Sequence, residues 1–166
     1  MYKYLFAALA IAIAMFLMLR DKKPVIASAE MTANSPIERV WKIQTDINNW
    51  ASWNSDIEKT QVKGEIGVGT VFIWKASGIT IESTITEYQA NSRIAWKGKT
   101  LGVDAYHVWM FSKSGNATHI YTEEKFTEIL PWLMRGTMRN EIDKALRHGV
   151  EALKKTAEQQ SPSKEI

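Results

Sequence analysis

Short apolar segments, separated by turns and followed by one long amphipathic segment, constrain this chain more than any other feature of its sequence. Six of them have the composition and length of β-strands, at residues 56–63, 70–76, 79–88, 93–99, 104–112 and 118–127. Glycine, serine and asparagine fill the links, which are too short for a crossover between parallel strands. The pattern therefore predicts six consecutive antiparallel strands.

Three further elements are predicted ahead of these strands. Residues 25–32 have the alternation of a strand, and Ser35 and Glu38 have the spacing of a capping box at the start of a helix. A second short helix carries Trp50 and Trp53. The sheet is thus expected to have about seven strands.

The segment after the strands predicts a long helix that Pro131 opens. Its apolar side chains recur at three- and four-residue spacing, which is typical of a helix with one buried face. This stripe consists of Met138, Ile142, Ala145, Leu146, Gly149, Leu153 and Ala157. The element order predicts an α+β fold in which the sheet packs on this helix.

An uninterrupted apolar run at residues 5–19 precedes the domain and ends at the charged cluster 20–23. A spanning helix needs about 20 residues and the apolar core of a signal peptide about 7–15, so length leaves both interpretations open. The small residues 27–29 resemble a cleavage site, but they lie eight residues beyond the run and inside the predicted first strand. We therefore expect a single-pass N-terminal membrane anchor, with a secreted or periplasmic protein after signal cleavage as the alternative.

These features divide the chain into an anchor over 1–23, a domain over 24–158 and a disordered polar tail over 159–166. The net charge of +3 arises beside the anchor, because 17 basic and 17 acidic residues remain from position 24 onward. The domain therefore has no excess positive charge for nucleic acid. Flanking charges do not decide on which side of a membrane the domain lies.

Several stretches resemble the START-like superfamily (SRPBCC), within it the polyketide cyclase/dehydrase and lipid-transport group. Residues 33–41 resemble the end of its first strand and the start of its first helix. Residues 46–54 resemble its short helix with two tryptophans. Residues 67–70 resemble the turn into its third strand, and 107–111 with 117–120 its last hairpin. The resemblance implies a helix-grip fold, in which a curved antiparallel sheet wraps the C-terminal helix and an apolar tunnel lies between them.

The side chains expected at this cavity come from the apolar face of the strands and from the inner face of the helix, and two tryptophans of the short helix are added. They are Trp50, Trp53, Phe72, Trp74, Ile81, Ile85, Trp96, His107, Trp109, Phe111, Thr122, Glu124, Phe126, Met134, Met138 and Ile142. Roughly half of such a set is expected to be ordinary core.

Two polar residues, His107 and Glu124, fall on the apolar phase of neighbouring strands. A hairpin that turns near Gly115 brings them within a residue or two of each other in register. A buried carboxylate must be paired, hydrogen-bonded or protonated, so the pair is a candidate for binding a polar group or moving a proton. The alternative is a structural histidine. Three scattered histidines and no cysteine predict no metal site, and we expect no cofactor.

No catalytic motif is present in the sequence, so binding without catalysis is the favoured function. We expect a membrane-tethered protein that binds or carries a small apolar ligand (lipid, isoprenoid or polyketide-like) in a cavity of at least ~300 Å³. One alternative is a cyclase, dehydratase or hydrolase that uses His107 and Glu124 as acid and base. The other is a membrane-tethered protein-interaction module with an exposed apolar patch.

Overall fold

The computed structural model describes residues 24–100, 103–126 and 135–159. It contains β1 (Val25–Ala33), α1 (Ile37–Thr45), a 3₁₀ turn (Ile47–Asn49), α2 (Trp50–Trp53), β2 (Ile57–Val62), β3 (Val71–Ala76), β4 (Ile79–Gln89), β5 (Arg93–Thr100), β6 (Val103–Ser114), β7 (Ala117–Phe126) and α3 (Arg135–Gln159). The predicted order of elements is confirmed, and the strand ends agree with the prediction to within two residues.

The seven strands form one antiparallel sheet in the order β1-β7-β6-β5-β4-β3-β2. Successive strands from β2 to β7 are neighbours, as short links require, and β1 joins at the outer edge of β7. The curved sheet and the C-terminal helix fit the predicted α+β helix-grip architecture. This arrangement places the apolar phase of the strands under one helix.

Two structural features hold α3 against β1 and β7. Its C-terminal half buries Val150, Leu153 and Ala157 completely in the core. At its end, Lys154 Nζ donates to the carbonyl of Thr32 at 2.7 Å, and the amide of Asn34 donates to Glu158 at 2.8 Å. The helix is therefore fixed at its C-terminal end, whereas its middle lies at the cavity described below.

The predicted capping box at the start of α1 is wrong. Pro36 occupies the N-cap position, and no side chain caps the helix. Ser35 thus lies one residue too early for its side chain to cap the first helical amides. Its backbone carbonyl accepts a hydrogen bond from Thr118 Oγ1 at 2.7 Å. Glu38 lies 3.7 Å from Lys113 Nζ.

Several predictions concern residues outside the described ranges, namely the anchor at 1–23, the helix opening at Pro131 and the tail from 160. Within the described residues, no helix is long and apolar enough to cross a membrane. Gln159, which we assigned to the tail, is the last residue of α3.

Candidate functional site

A cavity of about 150 Å³ lies between the middle of the sheet and the middle of α3. The helix lines it with Ala145, Leu146 and Gly149, and the opposite wall comes from β3, β5, β6 and β7. Ser77 and Ala145, which are exposed, mark its opening to solvent. The space between helix and sheet thus lies on the N-terminal side of the fully buried Val150.

Five of the six tryptophans among the described residues line this cavity, namely Trp50, Trp53, Trp74, Trp96 and Trp109. Trp50 meets Trp74 edge-on at a centroid distance of 6.3 Å. It meets Trp96 at a tilt of 41° and a centroid distance of 5.5 Å. Hydrogen bonds fix two of the rings, because Trp50 Nε1 donates to the Gln44 carbonyl and Trp74 Nε1 donates to Ser83 Oγ. The wall is therefore large and aromatic, and two of its five rings are held in place by hydrogen bonds.

His107 lies between the rings of Trp96 and Trp109, at centroid distances of 4.7 and 5.8 Å. Its Nε2 is 2.8 Å from Thr122 Oγ1, and that hydroxyl donates its own hydrogen to the Val108 carbonyl at 3.0 Å. Since Thr122 has only one hydrogen to donate, it must accept from His107. Nε2 therefore carries the imidazole hydrogen, and Nδ1 has a free lone pair.

Glu124 is the direct neighbour of His107 in the register of β6 and β7. Its Oε1 lies 3.9 Å from His107 Nδ1, which is beyond hydrogen-bond distance. Burial raises the pKa of Glu124 to about 7 and lowers the pKa of His107 to about 3. Both groups are therefore uncharged in slightly acidic solution, and neither satisfies the other directly.

Three polar atoms on lining residues are buried without a hydrogen-bond partner among the described residues. They are Gln44 Oε1, His107 Nδ1 and Trp109 Nε1. Leaving such atoms unsatisfied costs about 1–3 kcal/mol each, so native proteins rarely keep them without a function or a bound molecule. Two acceptors and one donor are therefore unsatisfied in the residues that form the cavity wall.

Seven of the sixteen predicted residues line the cavity: the five tryptophans, His107 and Glu124. Most of the others pack around this wall. They are Phe72, Ile85 and Phe111 in the buried core, Ile142 packed against it, Ile81 and Met138 half-buried, Phe126 buried near the end of β7, and Thr122 behind His107. Met134 lies outside the described residues.

The sequence prediction missed lining residues that come from connections and from polar positions. Gln44, at the end of α1, showed only helical spacing, and Asp56 follows α2 in a turn. Asp56 Oδ2 lies 2.6 Å from His148 Nδ1. This half-exposed pair joins α3 to the rim of the cavity, and no local pattern in the sequence indicates it.

The volume of about 150 Å³ is smaller than the ~300 Å³ that we expected for a ligand pocket. A cavity of this size accommodates about one benzene ring. A whole lipid or a polycyclic molecule would therefore enter only in part. Within residues 24–100, 103–126 and 135–159, no group of three side chains has the composition of a metal site.

Comparison with solved structures shows the same fold at low sequence identity. The Zhui aromatase/cyclase from a Streptomyces species aligns with a TM-score of 0.72 and 17% identity, over 83% of this chain and 96% of that chain. A START superfamily protein from Mycobacterium smegmatis aligns with a TM-score of 0.67 and 14% identity, over 82% and 99%. A hypothetical protein from Helicobacter pylori gives 0.73 and 16%, over 80% and 87%.

A search of curated proteins found no match. The family model for polyketide cyclase / dehydrase and lipid transport matches residues 24–158, which is most of the chain. The chain therefore belongs to this family of START-like proteins.

Proposed function

We propose that this protein binds a small, largely apolar ligand in the cavity between the sheet and α3, and that its N-terminal segment holds it at a membrane. The family and the START-like fold support hydrophobic ligand binding in general terms. The observation that carries the proposal is a wall of five indoles around open volume.

The size of the cavity sets the scale of the affinity. One aromatic ring buries roughly 150 Å² at ~25 cal/mol per Å², or about 4 kcal/mol. This corresponds to a millimolar dissociation constant. A physiological ligand therefore needs either polar contacts inside the cavity or additional atoms that extend through its opening.

The test is native mass spectrometry of the full-length chain extracted in mild detergent. Ala145→Trp places an indole at the exposed opening without altering the buried core. Lys144→Trp is the matched control, because Lys144 is exposed on the same helix and does not line the cavity. We expect a copurified small molecule in the wild type and in Lys144→Trp, and its loss in Ala145→Trp. Equal retention in both variants would place the ligand elsewhere.

General acid–base catalysis is a second candidate function, favoured by one observation. Glu124 reaches the cavity beside His107 and has a pKa of about 7, which suits an acid that works near neutral pH. His107, with a pKa of about 3, is a weak base. If the copurified molecule is chemically converted during incubation, and Glu124→Gln abolishes conversion but not retention, catalysis replaces simple binding.

A further inference from the structure

We propose that the end of the sheet at which the cavity opens lies against the lipid bilayer, so that the cavity exchanges its ligand directly with the lipid phase. This end carries Ser77 and Ile79 and is called the open end below. The inference rests on the membrane attachment in the proposed function and specifies which surface of the domain contacts lipid. The register of the sheet, the length of the connection to the apolar run and the side chains at the open end support it.

The register places the start of β1 towards the open end of the sheet. One row of paired residues crosses all seven strands and consists of Val25, Phe126, Ala105, Gly98, Ser83, Phe72 and Val62. The chain enters β1 from one side of this row, and the turn between β3 and β4 lies on that same side. Ala76 and Ile79, which pair beside this turn, are four residues beyond the row, or about 13 Å.

The direction of α3 agrees with this placement. Its C-terminal end is bonded to Thr32 and Asn34, which lie at the opposite end of β1 from Val25. Since α3 packs along β1, residues earlier in the helix lie nearer to the open end. The helix residues at the cavity precede Lys154 by five to nine positions; they are Ala145, Leu146 and Gly149.

The connection between the apolar run and β1 is too short for the opposite orientation. The six steps from Leu19 to Val25 cover about 22 Å when fully extended. The headgroup layer takes about 5–7 Å of this reach and leaves about 15 Å. If the domain were turned over, Val25 would lie at least the length of β1, or about 26 Å, from the bilayer. With the open end down, a reach of about 13 Å is enough.

The side chains on the inner face of the open end are apolar. Ile79 is 42% exposed beside Ser77, and the half-buried Ile81 and Val103 lie on the same face of the sheet. Contact with lipid removes this apolar surface from water. A cavity of about 150 Å³ holds only part of a lipid-sized molecule, and in this orientation the rest of the ligand stays in the bilayer.

The orientation is tested with fluorophores on single cysteines, because the chain has no cysteine of its own. Asp104→Cys labels an exposed position at the open end, and Ser114→Cys is the matched control on the same face of β6, ten residues or roughly 33 Å away. The full-length chain is inserted into nanodiscs whose lipids carry a nitroxide on the headgroup, which quenches nearby fluorophores. We expect quenching at position 104 to be at least threefold stronger than at position 114.

The outcomes separate the orientation from the proposed function. Equal quenching at the two positions, or stronger quenching at position 114, in a chain that co-elutes with the nanodiscs would overturn the orientation and leave the membrane attachment intact. A chain that does not co-elute with the nanodiscs would refute the membrane attachment itself.

A second pair of variants tests the lipid contact of Ile79, with the fluorophore at position 104. Ile79→Asp puts a carboxylate where lipid contact is proposed, and we expect quenching to fall at least twofold. Val68→Asp makes the same kind of change at an exposed residue beside Gly69, whose amide donates to the Ile85 carbonyl, six residues or roughly 20 Å along β4 from Ile79. This control should leave quenching unchanged. Unchanged quenching in Ile79→Asp would contradict the lipid contact of the open end.

Discussion

At the scale of single residues, Thr122 decides which nitrogen of His107 carries the imidazole hydrogen. Its hydroxyl donates to the Val108 carbonyl and accepts from Nε2, so the imidazole has one favoured tautomer. Thr122→Val removes both hydrogen bonds and leaves the buried Nε2–H of His107 unsatisfied, which destabilises the fold by about 1–3 kcal/mol. We expect ¹⁵N NMR to show loss of the single Nε2–H tautomer in this variant.

The matched variant is Thr122→Ser, which keeps the hydroxyl and removes only a methyl group. It should preserve the tautomer and most of the stability. Loss of the tautomer in both variants would mean that packing between the indoles, rather than the Thr122 hydroxyl, orients His107.

The raised pKa of Glu124 makes a signed prediction for stability. In the fold this carboxyl group ionises at about pH 7, but in the unfolded chain it ionises near 4.5. The folded state therefore binds more protons between these values, and stability falls as the pH rises from 4.5 to 7. Glu124→Gln lacks this loss. Its unfolding free energy relative to the wild type should increase by up to about 3 kcal/mol across the same window.

Glu124→Gln must be compared with the wild type because His107 changes the pH dependence of stability in the opposite direction. Its pKa falls from 6.5 to about 3 on folding, so its contribution is present above pH 6.5 and is lost as the pH falls towards 3. The two effects oppose each other between pH 4.5 and 6.5 in the wild type. Urea titrations of both proteins at pH 4.5, 6 and 8 isolate Glu124, and a pH-independent difference would show that its carboxyl group is not desolvated.

At the scale of secondary-structure elements, the sequence predicted the strands well because two-residue alternation and turn residues are local signals. The register between His107 and Glu124 followed from the hairpin at Gly115, since a short turn fixes the pairing. The lining of the cavity was predicted only in part. Asp56 and Gln44 reach it through the path of the connections between elements, and the separation of the helix from the sheet depends on packing across the whole domain.

Gly149 lowers the helix propensity of α3 and leaves the cavity wall without a side chain at this position. A Cβ atom at this position would lie 3.8 Å from the Trp109 ring and 3.6 Å from Asn54 Nδ2, which is ordinary contact. Gly149→Ala should therefore gain about 1 kcal/mol of helix propensity without a clash. The added methyl group also occupies part of the cavity wall, so we expect ligand affinity to fall while thermal stability rises.

Gly136→Ala in the same helix is the control, because nothing lies within 4 Å of the added Cβ atom and Gly136 does not line the cavity. It should gain helix propensity with ligand affinity unchanged. Reduced affinity in both variants, measured with the same probe, would indicate that helix rigidity rather than cavity volume controls binding.

At the scale of the whole molecule, the packing of β1 bears on whether the N-terminal segment is cleaved or retained. The possible cleavage site at 27–29 lies within β1, whose side chains Val25, Ala27 and Ala29 are buried against the core. Cleavage after Ala29 would remove five of the nine residues that pair with β7. Such a protein would lose an edge of the sheet and the inner surface on which α3 packs, so retention of the segment agrees better with the fold.

The proposed anchor can be tested in the intact chain. The full-length protein should sediment with membranes, resist extraction at alkaline pH and have an intact mass that includes residues 1–29. Replacing Leu9 and Ile13 by lysine puts two charges into the apolar run, at a cost of about 2.5–3.5 kcal/mol each near the centre of a bilayer, and should release the protein into the soluble fraction. Lysine at Ile26 and Ser28, which are exposed on β1, adds the same charge outside the run and should leave the protein with the membranes. A soluble wild type whose mass begins at Glu30 would instead establish cleavage, and the sheet would then have to tolerate the loss of half of β1.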